Sequence, residues 1–238
     1  MRLVTLLALS ACVTVEGGDH QTFSAAGITR VVADLDAGSF SYIGDSDTTG
    51  FDIDVVSEGY GSGQAKAAER EAGNEWTFAL DGTDLDITTD TQADRAAINV
   101  TVDGPDLMNL DIVSAGEVTL DDVEGMLIVD AAYLTGTALI GNADLPCSGG
   151  MEVDVSPWDD GTGGVTIVAE GDTVLYLPYG YEYDVEVWGS IEHEITITDL
   201  GFDEEAFADG YYAGVAGLGT IPIQVSVEGG SFTLLESN

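Results

Sequence analysis

The sequence predicts an all-β fold, a β-solenoid of stacked coils, with a β-sandwich as the competing arrangement. Three observations predict it. Apolar and polar residues alternate with period two, as in FDIDVV at 51–56 and INVTV at 98–102, which puts Ile, Val and Phe on one face and acids on the other. The 31 glycines and the scarcity of helix formers suit short strands and frequent turns. Gly-led units also recur: GEVTLDDVEG begins at Gly116 and GTALIGNADL at Gly136, 20 residues on, with altered copies at Gly163 and Gly171. A unit of about 20 residues cannot bury its own apolar face, but a stack of such units can. Some nine or ten coils at about 4.8 Å each would make a rod of roughly 45 Å. A sandwich would also explain many short strands with turns.

Three segments follow in chain order: a leader over 1–11, a tether over 12–27, and one domain over 28–238. The chain opens MRLVTLLALSAC. Arg2 and the apolar run Leu3–Ala11 have the layout of a secretion signal. Nine residues are too few to span about 30 Å of hydrocarbon. Residues 13–27, VTVEGGDHQTFSAAG, are small and polar and read as a short tether.

Strands are then expected over 28–35 (ITRVVADL), 38–44 (GSFSYIG), 51–56, 76–80 (WTFAL), 85–88 (LDIT) and 98–102. GSFSYIG at Gly38 is echoed near the other end by GSFTLLE at Gly230. Helix is expected over 64–72, QAKAAEREA, where Lys66 and Arg70 sit four apart, and more weakly over 202–209, FDEEAFAD. The ends of a solenoid would pair with other chains if left open, so the N-terminal strands and segment 202–209 are expected to cover them.

The charge excludes several partners. With 44 acidic residues against 5 basic ones the formal net charge is -39. Nucleic acid needs clustered cations, and anionic lipid headgroups would repel such a surface. Cations, basic surfaces or a salty medium remain as charged partners.

Leu9-Ser10-Ala11-Cys12 resembles the bacterial lipobox. That resemblance implies a diacylglyceryl thioether on Cys12, cleavage before it, and a mature chain that begins there. Val13 then takes the second mature position. Inner-membrane lipoproteins usually carry Asp there, so the resemblance implies the outer membrane. Cys147 would be the remaining thiol, without an intrachain partner, and reads as a small buried hydrophobe.

Catalytic signatures are missing from the sequence. There is no Gly-x-Ser-x-Gly, HExxH or CxxC, and only His20 and His193 exist to act as a base. His20 falls in the tether, and His193, in SIEHEI, reads as solvent-exposed or core. DSDTTGFDIDVV begins like a calcium loop at Asp45, Asp47 and Gly50, but its twelfth position is Val56 where a bidentate Glu is needed. It reads as a turn, as do DGTDLDITTD at Asp81 and WDDGTGG at Trp158. Weak surface calcium binding is the most that these turns suggest, and no cofactor is expected. Tyr179, Tyr181 and Tyr183 share one strand face if the alternation holds, with Trp188 beyond. They form either a flat patch for a sugar or protein, or a structural ladder covering the sheet.

INVTVDGPDLMNLDIVSAGEVTLDDVEGMLIVDAAYLTGTALIG at 98–141 resembles the core of the putative-adhesin domain family. VLYLPYGYEYDVEVWGSI at 174–191 resembles that family's second Pro turn, with Pro178 in the part that Pro105 plays earlier. GLGTIPIQVSVEGGSFTLLE at 217–236 resembles its closing strands, so the likeness spans about 28–236. The acidity and the insert at 147–164 depart from the family. These are bacterial surface proteins, many of them lipoproteins, and the resemblance carries over no catalytic residue. The expected function is thus a non-enzymatic envelope lipoprotein, an adhesin or surface scaffold, anchored to the membrane through Cys12 and meeting a protein or glycan. An enzyme acting on envelope polysaccharide and a calcium- or salt-tuned structural protein are the alternatives.

Overall fold

Alternation of apolar and polar side chains is the rule along nearly every strand. Val31, Ala33 and Leu35 are buried while Arg30 and Asp34 are exposed, and Ile53 and Val55 are buried while Asp52 and Asp54 are exposed. The computed structural model describes residues 13–158, 161–190, 192–198 and 200–237. Cys12 and the leader lie outside them.

In chain order the strands begin with β1 (Val13–Ser24), β2 (Arg30–Leu35), β3 (Ser39–Gly44) and β4 (Gly50–Gly61). Helix α1 (Gln64–Glu71) follows, then β5 (Asn74–Asp81), β6 (Asp84–Thr91), β7 (Ala96–Gly104) and the long, continuous β8 (Asn109–Cys147). The rest are β9 (Met151–Ser156), β10 (Gly164–Ala169), β11 (Thr173–Leu177), β12 (Tyr183–Trp188), β13 (Ile195–Ile197), β14 (Glu204–Ala208), β15 (Tyr211–Val215), β16 (Ile221–Val227) and β17 (Phe232–Glu236). The fold is all-β, as expected, and its strands join in one large mixed sheet that does not close.

Two rows of pairings organise that sheet. In the first, β5 pairs antiparallel with β6, and β6, β2 and residues 109–114 of β8 then run parallel. It resumes with residues 142–147 of β8, β10, β16 and β12, all parallel, and ends in antiparallel β15 and β14. In the second, antiparallel β1, β4 and β7 lead into parallel β3 and residues 117–121 of β8. It resumes with residues 134–140 of β8, β9, β11, β17 and β13. β8 contributes to both rows because its chain passes from one to the other between 114 and 117 and again between 140 and 142, with a break in register between Gly136 and Leu139.

The order within the rows departs from sequence order at both ends. The first strand pair, β2 and β3, is inserted between β6–β7 and β8. The last pair, β16 and β17, is inserted between β10–β11 and β12–β13. The antiparallel hairpins β5–β6 and β14–β15 and the pair β1–β4 occupy the outer positions, where they blunt the sheet edges.

Close backbone approach at corners dictates some glycines. A Cβ on Gly116 would lie 1.6 Å from the Gly38 carbonyl oxygen, so one turn of chain rests directly on another. A Cβ on Gly59 would lie 2.2 Å from the carbonyl oxygen of Ala67, which explains how α1 sits flat on β4. α1 itself forms where expected, and its Ala67 is fully buried.

The core is continuous and mostly aliphatic, with Phe40, Tyr42, Phe51, Tyr183, Tyr212 and Phe232 as its largest members. Two tyrosines meet their polar requirement in the same way. Tyr42 donates its hydroxyl to the carbonyl oxygen of Pro105 at 2.8 Å, and Tyr183 donates to that of Pro178 at 2.9 Å. The two Pro turns are thus pinned alike from inside, and burial raises the pKa of both phenols. Cys147 is a free, buried thiol whose pKa burial also raises, in keeping with a packing role.

Two expectations fail. Residues 13–24 are not a tether: they form β1, twelve residues long and paired along its whole length with β4. Residues 204–208 are not helical: they form β14, because pairing with β15 satisfies their backbone and outweighs the helix propensity of Glu and Ala.

Candidate functional site

The aromatic residues singled out by sequence do not form one patch. Tyr183 is fully buried, with its hydroxyl tied to Pro178. Tyr179 and Tyr181 precede the first residue of β12, so the alternation that would have aligned them has not yet begun. Tyr179 is exposed, while Tyr181 packs on Tyr183 with ring centroids 6.1 Å apart. Trp188 is exposed at the far end of β12 and leans on Tyr211 at 6.3 Å. These are separate packing contacts.

The acidic turns behave as turns. Asp45 accepts from the backbone N–H of Asp47 at 2.9 Å and from the Thr48 hydroxyl at 3.2 Å, an Asx turn between β3 and β4. Gly82, at φ 66°, and Thr83 make the two-residue connection between β5 and β6. Asp159 and Asp160 lie outside the described residues. His193 accepts a hydrogen bond from the Ser190 N–H at 3.2 Å and serves its own turn.

The arrangement with chemical content is one that sequence reasoning missed. The register of β1 on β4 sets His20 opposite Asp54 and Thr22 opposite Asp52. Asp52 and Asp54 are two apart on β4, so both carboxylates rise on one face while Ile53 and Val55 anchor the strand in the core beneath. The imidazole enters between them. His20 Nδ1 lies 2.9 Å from Asp54 Oδ1 and 3.2 Å from Asp52 Oδ1. All three ligand atoms lie within 4.8 Å of one another. β7 closes the other side of β4 and sets Asp103 opposite Asp52.

The hydrogen bond to Asp54 raises the pKa of His20, and the charge of Asp52 adds to the effect. More than half of each side chain in the trio is exposed, so the cluster is open to solvent. Such a site can bind a cation or share a proton; it cannot exclude water from a reaction. The readable clue was the period-two spacing of Asp52 and Asp54. The third member was hidden by a pairing that spans 34 residues.

Arg30 forms a second, purely structural cluster. It pairs with Asp84 on β6 and reaches Asp111 on β8 at 3.7 Å, bracing three neighbouring strands. The hydrogen bond from Arg30 holds the Asp84 carboxyl below its ordinary range.

No family model matches the chain, and no curated protein does. Several solved structures are similar to it. One is a putative cell adhesion protein from Clostridium sporogenes, similar over 94% of this chain and 100% of its own, with 12% identity and a TM-score of 0.42. Another is a putative adhesin from Bacteroides fragilis, over 94% and 97%, with 12% identity and a TM-score of 0.32. A putative lipid binding protein from Parabacteroides distasonis matches over 92% and 96%, with 10% identity and a TM-score of 0.33. Likeness at this level is no argument about chemistry, which rests on the residues themselves.

Proposed function

We propose that this chain is a non-enzymatic envelope module: an acidic β-solenoid, lipid-anchored through Cys12, that displays its outer faces to protein or glycan partners. The parallel pairing in two rows, with chain corners resting on one another at Gly38 and Gly116, supports the solenoid reading over a sandwich of antiparallel sheets. The observation that carries the functional reading is the investment of nearly every strand in a core-backed surface. Apolar side chains face inward and Asp, Glu and Thr face outward across the rows. This architecture suits presenting a broad, rigid face.

The charge fits the same reading. The full chain carries a net charge of -39, and a body so acidic is repelled by anionic headgroups, so in this reading the attachment comes from acyl chains. Each buried methylene contributes about 0.8 kcal/mol, and two or more chains make a stable anchor. Since residues 13–24 are strand, the body would begin almost at the acyl-bearing residue, with β1 close to the membrane surface. In this reading the protein resides in the bacterial envelope, at the outer membrane.

Expressed in a bacterium, the wild-type chain should incorporate labelled palmitate and partition into the detergent phase. Cys12→Ser should do neither, with Cys147 left in place as an internal control. Equal labelling and partitioning of Cys12→Ser and wild type would overturn the anchor.

A further inference from the structure

We propose that His20, Asp52 and Asp54 form a binding site for a divalent transition-metal ion, with zinc as the representative. The donor set is one imidazole nitrogen and two carboxylate oxygens. Zinc takes such ligands at about 2.0–2.2 Å, and a tetrahedron with bonds of that length has edges of roughly 3.4 Å. The distances from His20 Nδ1 to the two carboxylate oxygens, 2.9 and 3.2 Å, are close to that edge. The third edge, between the two carboxylate oxygens, is within 4.8 Å, so an ion drawing in all three would have to bring the exposed carboxylates together by rotation about their side chains.

The backbone fixes the arrangement. β4 is paired on both sides, with β1 and with β7, and Phe51, Ile53 and Val55 are buried directly beneath the two aspartates. The carboxylates therefore stay on one face and the register holds His20 between them. Two neighbouring carboxylates in a protein of net charge -39 repel each other, and Asp103 adds a further charge across β7. A proton on His20 relieves part of that repulsion; a divalent ion in its place relieves more. Binding exchanges one for the other: the Nδ1 proton leaves to solvent, the nitrogen lone pair bonds the metal, and water fills the remaining coordination positions.

The same donor set selects the ion. Calcium favours six to eight oxygens and has little use for an imidazole, whereas zinc, nickel and copper bind imidazole readily. The site should thus follow the usual order, with copper above zinc and nickel, and calcium far below. A simple cross-strand ion pair, the competing account of these three residues, would show no such selectivity.

Titrating the full chain with zinc in the presence of excess calcium, which saturates unspecific carboxylates, separates the two accounts. Nitrogen NMR of the imidazoles should show His20 Nδ1 shifting with one equivalent of zinc while His193 stays unchanged. Removing a ligand should cost at least as much as removing a partner one shell further out, roughly 10- to 100-fold in affinity. His20→Gln, Asp52→Asn and Asp54→Asn should each show that loss, and all three positions are exposed, so the fold should persist. Unchanged zinc affinity in His20→Gln, displacement of zinc by calcium, or an equal response at His193 would overturn the proposal. The outcome is independent of whether Cys12 carries lipid.

Discussion

Ending the chain before Ile221 should unfold its C-terminal half. Strand β16 is hydrogen-bonded to β10 on one side and β12 on the other, and β17 lies likewise between β11 and β13. Removing both strands would not trim an edge; it would open a slot through the middle of both rows. Ile221, Ile223, Val225, Val227, Phe232 and Leu234 are all buried there. At roughly 1.5–3 kcal/mol per fully buried side chain they contribute on the order of 10 kcal/mol. A whole domain typically has a margin of about 5–15 kcal/mol, so little should remain. Urea unfolding of the truncated chain should show a lower midpoint and a smaller slope, and hydrogen exchange should lose protection in β10 to β15. A truncated chain with the wild-type midpoint and slope would show that these strands are peripheral.

Val185→Glu should be the most damaging kind of point change. Val185 is fully buried on β12, between Ile223 of β16 and Gly214 of β15. Among the described residues every Lys and Arg lies at or before Arg95, none on the strands that pair with β12, so a carboxylate there loses its water and must either stay charged at great cost or take up a proton. An uncompensated buried charge costs roughly 3–5 kcal/mol. The neighbouring exposed acid sets the contrast: Asp184→Asn should change stability by no more than about 0.5 kcal/mol. Chemical unfolding of the two variants checks this, and the penalty in Val185→Glu should shrink at low pH as the carboxyl becomes neutral. Equal stability of Val185→Glu and wild type would contradict the inward–outward assignment along β12.

Local pattern made most strands readable. FDIDVV, LDIT and INVTV declare their faces by alternation, and each lies within a strand that buries the expected side chains. The helix at Gln64–Glu71 was readable because good helix formers concentrate there. Long-range pairing decided the rest. The tract VTVEGGDHQTFS has two glycines and little hydrophobic contrast, so only its partner β4 makes it a strand. That same pairing creates the His20 cluster, which is why the site was missed. The tyrosine patch failed at a boundary: period two holds only inside a strand, and β12 starts at Tyr183. One long-range feature did leave a trace. The echo between GSFSYIG at Gly38 and GSFTLLE at Gly230 falls on β3 and β17, the second strands of the two inserted pairs.

The last strand pair is threaded between earlier ones, and residues on three neighbouring strands test this insertion. Gln224 on β16 is the register partner of Thr166 on β10 and of Glu186 on β12. Paired variants with Gln224→Cys and either Thr166→Cys or Glu186→Cys should both cross-link rapidly within one chain with a short bifunctional thiol reagent. The pair Thr166→Cys and Glu186→Cys, separated by the inserted strand, should not. Rapid linkage of Thr166→Cys to Glu186→Cys, with Gln224→Cys reaching neither, would mean that the strands stack in sequence order and that the insertion is wrong.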